Sequence, residues 1–242
     1  MTAPAARLIE QFHGGERLVL DLVAGLPDRA FAEPCGLPGW RRADLLAHLA
    51  RNADALGNLL TWARTGVETP MYASPEQRAA GIAAAAAQPP EVLRADVRTS
   101  SARLVAAVAA LPPGAWDAPV RTARDRPITA AEVPWMRVRE TWVHAVDLRA
   151  GASFADLPAP VVDDLLAEVA RWFAGREDCP PVTLAEPGGA RSWRIGPDGA
   201  PAPVEVSGPA HALLAWLAGR SAGEGLRAST ADGRPPAVPA WL

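Results

Sequence analysis

Residues 133–149 read VPWMRVRETWVHAVDLR, a stretch without glycine and with proline only at its second position. Proline is tolerated in the first turn of a helix, so nothing here interrupts one. On a helical wheel the apolar side chains cover most of the circumference, while Glu140, His144 and Asp147 share one narrow stripe. The stretch predicts a buried helix whose polar stripe faces a partner, because an unpaired buried carboxylate is costly.

A second predicted helix, over residues 41–65, supplies a candidate partner. Its apolar face consists of Leu45, Leu49, Leu56, Leu59, Leu60 and Ala63. His48 belongs to that inward face, beside Asn52. Since residues four apart share a helix face, Glu140 and His144 can converge on one ion, and His48 can join them across a bundle. Two nitrogens, one carboxylate and an open fourth position are the composition of a catalytic zinc site.

The residues alone leave a simpler interpretation open, in which Glu140 and His144 form a hydrogen bond inside a helical core. Asp44, one turn before His48, and Asp147 are candidates to orient the two imidazoles, although each could equally be a solvated acid near a helix end. Further expectations concern residues outside this cluster. Surface salt bridges are expected for Arg137 and Arg139, and ordinary surface or half-buried positions for His13 and His211.

Composition limits the function classes. Of the 242 residues, 49% are hydrophobic and 21% charged, which is typical of a globular protein, and the net charge of −3 gives no basic field for nucleic acid or an anionic membrane. All 24 basic residues are arginine, as a GC-rich bacterial genome favours. The N-terminal stretch lacks the pattern of a secretory signal, no apolar run is long enough for a membrane span, and Cys35 and Cys179 have no metal-like or redox-like spacing. We expect a cytoplasmic protein.

The remaining pattern predicts two domains. Up to residue 155 the apolar residues recur with helical periodicity throughout. Besides the two helices above, helices are predicted over residues 6–26, which glycines 14 and 15 weaken, over residues 91–111, and after Ser74-Pro75-Glu76-Gln77. Beyond that point helices alternate with short strand-like pieces. These are the helices 161–174 and 209–219 and the segments PVTLAEP, SWRIGP, PVEVSG and LRAS. The prediction is an α+β protein with a helical domain over 1–155 and a smaller α/β domain over 156–242.

Four segments resemble one known family. They are PWMRVRETWVHAVDLRA, LLAHLARNADALGNLLTWARTG, ETPMYASPEQR and the ending AGRSAGEGL…PPAVPAWL. Over nearly the whole chain the sequence is similar to the mycothiol-dependent maleylpyruvate isomerases. The resemblance implies a DinB-like four-helix bundle joined to a smaller α/β domain. It also implies zinc held by His48, Glu140 and His144, and mycothiol as the thiol cofactor.

The family reaction converts maleylpyruvate to fumarylpyruvate in gentisate breakdown. Its chemistry indicates which further residues could contact the substrate. A thiolate can add to the conjugated double bond, allow rotation and leave, and zinc coordination deprotonates a thiol whose pKa is ordinarily near 8.5. Developing charge and two substrate carboxylates favour arginine. Arg220, expected to reach the site from the C-terminal domain, is the first candidate and Arg78 the second. The other interpretation of Arg220 is a helix-end charge.

Two rival functions share these residues. A mycothiol S-transferase would use the same metal ligands and release a conjugate, and DinB-like proteins include such enzymes. A non-enzymatic zinc-stabilised regulator is the other rival, and it would need a fourth protein ligand that the sequence does not supply near His48, Glu140 and His144.

Overall fold

The computed structural model describes residues 3–189, 191–200 and 203–241. The helices are α1 (Ala3–Gly25), α2 (Arg42–Thr65), α3 (Pro75–Ala86), α4 (Pro90–Ala110), α5 (Val133–Asp147), α6 (Ala159–Phe173) and α7 (Ala210–Leu217). The strands are β1 (Pro119–Arg121), β2 (Pro127–Thr129), β3 (Val182–Ala185), β4 (Ser192–Ile195), β5 (Val204–Ser207) and β6 (Arg227–Ala228). The predicted α+β class is confirmed. Within the described ranges, no helix has both the length and the hydropathy that crossing a membrane requires.

The chain divides after Ala152 into two compact units. In the N-terminal unit, α1, α2, α4 and α5 form a four-helix bundle in which α2 packs against α4 and α5, α1 packs against the same two helices, and α3 covers α2. Of the six residues predicted for the apolar face of α2, five are buried and Ala63 is half-buried. Leu45, Leu49, Leu56, Leu59 and Leu60 are each at most 1% exposed. Burying one leucine contributes on the order of 2 kcal/mol, so this face is a main source of bundle stability.

Two consecutive glycines allow α1 to approach α5 closely. A Cβ atom at Gly15 would lie 2.1 Å from Thr141 Oγ1, and one at Gly14 would lie 2.9 Å from Cζ2 of Trp142. No larger residue fits at such distances without displacing the side chains of Thr141 and Trp142. The indole Nε1 of Trp142 donates a hydrogen bond to the backbone oxygen of Gln11 at 3.0 Å. The helix continues through both glycines because this packing compensates for their low helix propensity.

A short β-hairpin interrupts the helical unit, so the prediction of an all-helical first part is wrong. β1 and β2 pair antiparallel, with Val120 opposite Ile128 and both side chains buried. Asp125, with a φ of 57°, lies in the connection between the strands. Each strand has three residues, of which only the central one is buried. One buried residue per strand is too short a pattern for the alternation of a strand to be recognised.

The C-terminal unit contains the predicted short strands. Within its described residues they form one sheet in the order β4-β3-β5-β6, in which β3 runs parallel to β5 and the other pairs are antiparallel. Helices α6 and α7 pack against each other, and α6 also packs against β4. Val182, Leu184, Ile195 and Val206 are completely buried in this sheet, which explains why their segments were recognisable as strands.

Candidate metal centre

His48 lies on the buried face of α2, in the second turn of that helix. Asp44 defines the start: its Oδ2 accepts a hydrogen bond from the backbone N–H of Arg41 at 2.8 Å, and both carboxylate oxygens accept bonds from the Arg41 guanidinium at 3.0 Å. This reciprocal contact satisfies the first turn of the helix. Of the two interpretations of Asp44, the structure supports the acid near a helix end, because its carboxylate pairs with Arg41 there.

Helix α5 presents Glu140 and His144 on one face and ends at Asp147. Pro134 lies in its first turn, as predicted. The predicted contact of Asp147 with an imidazole is present, because Asp147 Oδ2 lies 2.9 Å from His144 Nδ1. Asp147 is only 1% exposed, so it is a fixed acceptor rather than a solvated acid. It holds the hydrogen on Nδ1 and leaves Nε2 of the imidazole to face the site.

The structure brings the three predicted ligands together. Glu140 Oε2 lies 3.0 Å from His48 Nε2 and 3.4 Å from His144 Nε2. One ligand atom from each residue lies within 4.8 Å of the other two. Tetrahedral zinc, with bonds of about 2.0–2.1 Å, separates its ligand atoms by about 3.3 Å. The residues present therefore fit a zinc ion after a small adjustment of the imidazoles.

Charge in the cluster also suits a cation. Burial raises the pKa of Glu140, but hydrogen bonds from His144 and His48 outweigh it and hold that pKa well below its usual value. Burial is likewise the largest influence on His48 and lowers its pKa, so this imidazole is neutral. Burial opposes the charge of His144, yet Asp147 and Glu140 raise its pKa to about 9. A metal ion would replace the proton that His144 holds in the metal-free protein.

Arg78 on α3 lies against the other nitrogen of His48, with its NH2 atom 3.3 Å from Nδ1. A guanidinium only donates hydrogen bonds, so in this arrangement Nδ1 accepts and the ring hydrogen of a neutral His48 is on Nε2. A metal ligand at Nε2 requires the opposite tautomer, in which Nδ1 carries the hydrogen and no longer accepts. Metal binding would therefore release Arg78 from His48.

Two aromatic residues of this region were not identified from the sequence. The guanidinium carbon of Arg78 lies 5.7 Å from the ring centroid of Tyr72, and burial raises the pKa of the Tyr72 hydroxyl. Trp40 makes an edge contact with His48, with ring centroids 6.0 Å apart. Tyr72 is the single tyrosine of the chain, and Trp40 lies two positions before the first residue of α2. These two features of the sequence could have drawn attention to Tyr72 and Trp40, but neither feature predicts that the side chain points towards the cluster.

The arginines other than Arg78 have different surroundings. Arg137 is 1% exposed and pairs with Glu16, so the prediction of a surface salt bridge is wrong for it. Arg220 belongs to the C-terminal unit and is half-buried just after α7. Its NH1 donates to the backbone oxygen of Ala218 at 2.5 Å, a contact that fits the helix-end interpretation.

Fold and site define a class: a helical-bundle protein with a candidate His-Glu-His metal centre, followed by a small α/β unit. Residues 12–149 match the family model of the mycothiol maleylpyruvate isomerase N-terminal domain, and residues 156–240 match that of the MDMPI C-terminal domain. The chain belongs to the mycothiol maleylpyruvate isomerase family.

Two solved structures are similar to the chain over 100% of both molecules. One is a crystal structure of the mycothiol-dependent maleylpyruvate isomerase, with 35% sequence identity and a TM-score of 0.91. The other is a histidine-to-alanine mutant of the mycothiol-dependent maleylpyruvate isomerase, with 34% identity and a TM-score of 0.91. Comparison with curated proteins gave no significant match.

Proposed function

We propose that this protein is a zinc- and mycothiol-dependent isomerase that converts maleylpyruvate to fumarylpyruvate in gentisate breakdown. The observation that carries the proposal is the convergence of His48, Glu140 and His144 in a chain similar, over its whole length, to a mycothiol-dependent maleylpyruvate isomerase. We also propose a cytoplasmic location. Two buried, unpaired cysteines support it, because free thiols are typical of reducing compartments.

The reaction requires a carbon–carbon double bond to become single for a moment. Mycothiol, when bound, would supply a sulfur nucleophile that adds reversibly to one alkene carbon, with the π electrons taken up by the conjugated carbonyl oxygen. Because the same carbon–sulfur bond would break again after rotation, the thiol would be regenerated and no atom would be gained or lost. The chemistry that zinc supplies when bound is a lower pKa of its thiol ligand, which is ordinarily near 8.5.

The residues of the cluster have distinct roles in this proposal. His48, Glu140 and His144 would hold the metal through three ligands and leave one tetrahedral position for a thiol. Asp147 fixes the tautomer and direction of His144 through the 2.9 Å contact. The low pKa of Glu140 keeps it ionised at neutral pH, so that it offsets part of the cation's charge.

Two arginines are proposed to contact the substrate. Arg78 already lies at the edge of the cluster, and a metal-bound His48 would leave its guanidinium available for a substrate carboxylate. Arg220 is proposed to stabilise the negative charge that develops on the carbonyl oxygen. Its role is supported by the chemistry of a guanidinium, which is always charged and donates hydrogen bonds to a developing oxyanion.

An assay of maleylpyruvate with the zinc-loaded protein, with and without mycothiol, tests the function. We expect product only when mycothiol is present, and a free-thiol concentration that is unchanged after many turnovers. Consumption of one thiol per substrate would instead identify a mycothiol S-transferase. A protein that binds zinc tightly but gives neither product nor adduct would be a regulator, and the proposal would be wrong.

A further inference from the structure

The segment between Glu33 and α2 forms a tight loop beside the metal centre, defined here as the Cys35–Trp40 loop. The backbone N–H of Cys35 donates to the oxygen of Trp40 at 3.0 Å, and that of Trp40 donates to the oxygen of Leu37 at 3.1 Å. The N–H of Leu37 donates to Cys35 Sγ at 3.4 Å. Internal bonds of this kind give the loop a defined conformation, so that it can act as a support for its neighbours.

Gly36 of this loop lies directly against Asp147. Its backbone N–H donates to the backbone oxygen of Asp147 at 2.6 Å. A Cβ atom at Gly36 would lie 3.0 Å from Cα, 3.1 Å from the backbone oxygen and 3.1 Å from Oδ1 of Asp147. Gly36 is not one of the glycines with a positive φ, so the requirement for glycine here comes from space and not from backbone conformation.

Asp147 connects this contact to the metal centre. Its carboxylate accepts from His144 at 2.9 Å, and His144 Nε2 is in turn 3.4 Å from Glu140 Oε2. Two of the three close atoms of Asp147 belong to its backbone, so rotating the carboxylate alone would not relieve the pressure of an added methyl group. The end of α5 would have to move by a few tenths of an ångström, and the contact with His144 would change with it.

We propose that Gly36 is a positioning residue for the metal centre: by allowing the loop to touch Asp147, it sets the direction of the His144 imidazole and hence the metal affinity. The inference rests on the proposed metal centre. It goes beyond the proposed function because it assigns a role to a residue that is neither a proposed metal ligand nor a proposed substrate contact.

The test uses Co²⁺ as a spectroscopic probe on the full chain, with affinity measured by chelator competition and ligand geometry read from the visible absorption bands. Outer partners of metal ligands typically contribute about 10- to 100-fold to affinity, and we expect Asp147→Asn to weaken Co²⁺ binding within that range. Gly36→Ala should weaken it about 3- to 10-fold and shift the absorption bands, because it displaces Asp147 without removing it. In the double variant the effect of Gly36→Ala should largely disappear.

Gly39→Ala is the matched control. Gly39 belongs to the same loop, but a Cβ there meets nothing within 4 Å, and its φ of +78° makes alanine strained. This variant should therefore lower stability, as measured by urea unfolding, while its Co²⁺ affinity and spectrum stay as in the wild type.

Several outcomes would overturn the inference. Wild-type affinity and spectrum in Gly36→Ala would do so, as would an equal loss of affinity in Gly39→Ala, which would indicate general loosening of the loop. If Gly36→Ala does not fold, unchanged Co²⁺ binding by Asp147→Asn would overturn the inference, because Gly36 is proposed to act on His144 through Asp147. A wild-type protein that binds no Co²⁺ would refute the metal centre itself, a result distinct from these.

Discussion

Glu16 on α1 and Arg137 on α5 form an ion pair inside the four-helix bundle, with Arg137 Nε 2.6 Å from Glu16 Oε1 and side chains that are 4% and 1% exposed. The other atoms of the pair are also bonded. Ser101 on α4 donates to Glu16 Oε2 at 2.6 Å, and Arg137 NH1 donates to Asn52 Oδ1 on α2 at 2.9 Å and to the backbone oxygen of Leu49 at 2.8 Å. One buried polar cluster therefore joins all four helices.

Removing one charge of this cluster should be costly. Glu16→Gln leaves the Arg137 guanidinium buried without its counter-charge, and breaking such a pair typically destabilises a protein by about 3–5 kcal/mol. Urea unfolding measures the loss. The control is Arg121→Ala, which breaks an exposed pair with Asp125 and should change stability by about 0.5 kcal/mol or less. If the two variants lose equal amounts of stability, the claim that the buried pair matters more than the exposed pair is wrong.

The Glu16–Arg137 pair also predicts how the stability of the protein depends on pH. Burial raises the pKa of Glu16, but Arg137 and Ser101 outweigh it, so the folded-state pKa lies below the usual 4.5. A carboxyl group with a lowered pKa adds stability above the unfolded value and loses it as pH falls through the folded value. The stability difference between wild type and Glu16→Gln should therefore be constant near neutral pH and shrink below pH 4.5. A difference that increases on acidification would show that Glu16 is not held ionised.

Replacing a metal ligand should remove metal without unfolding the bundle. His48→Ala, Glu140→Ala and His144→Ala are each expected to lose most of the zinc and nearly all activity, because two remaining ligands bind zinc weakly. Metal analysis, circular dichroism and the isomerase assay measure the three properties. His13→Ala is the matched control, since His13 lies in the same bundle and should keep the metal. Full activity of a metal-free His48→Ala protein would refute the zinc mechanism.

Arg220→Ala distinguishes catalysis from helix capping. Loss of a preorganised donor to the developing charge typically lowers turnover by about 100- to 1000-fold, and zinc content should not change. Arg220→Lys should recover only part of the rate, because lysine lacks the planar fork of the guanidinium. Arg171→Ala, at the exposed end of α6, is the control for a helix-end charge. If Arg220→Ala resembles it, with unchanged kcat and a loss of about 1 kcal/mol or less, the capping interpretation is correct.

Residues 1–155 without the remainder should fold and bind one zinc ion, because all three proposed ligands and the buried Glu16–Arg137 pair belong to this part. Isomerisation by this fragment should be poor, since Arg220 is missing. Zinc titration and the assay, both compared with the full chain, measure the two expectations. A fragment with undiminished turnover would show that the C-terminal unit is not required for catalysis.

The helix positions and the three-residue cluster could be predicted because they depend on periodicity, which is a local property of the sequence. Arg137 shows where this reasoning ends: its burial depends on Glu16, a residue 121 positions away that periodicity does not connect to it. Spacing alone made Asp44 a candidate partner of His48, whereas in the structure its carboxylate pairs with Arg41. The role of Gly36 follows from a distance between two backbones, and no residue pattern encodes such a distance.

The proposed ligands His48 and Glu140 are 92 positions apart, and helices α3 and α4 and the hairpin all lie between them. An ion held by both residues acts as a reversible cross-link that closes a long loop of the chain. Such a closure restricts the unfolded ensemble by an amount that grows slowly with loop length. During synthesis His48 emerges well before Glu140, so the complete site cannot form until α5 has been made. Loading with metal would then report that the bundle has closed.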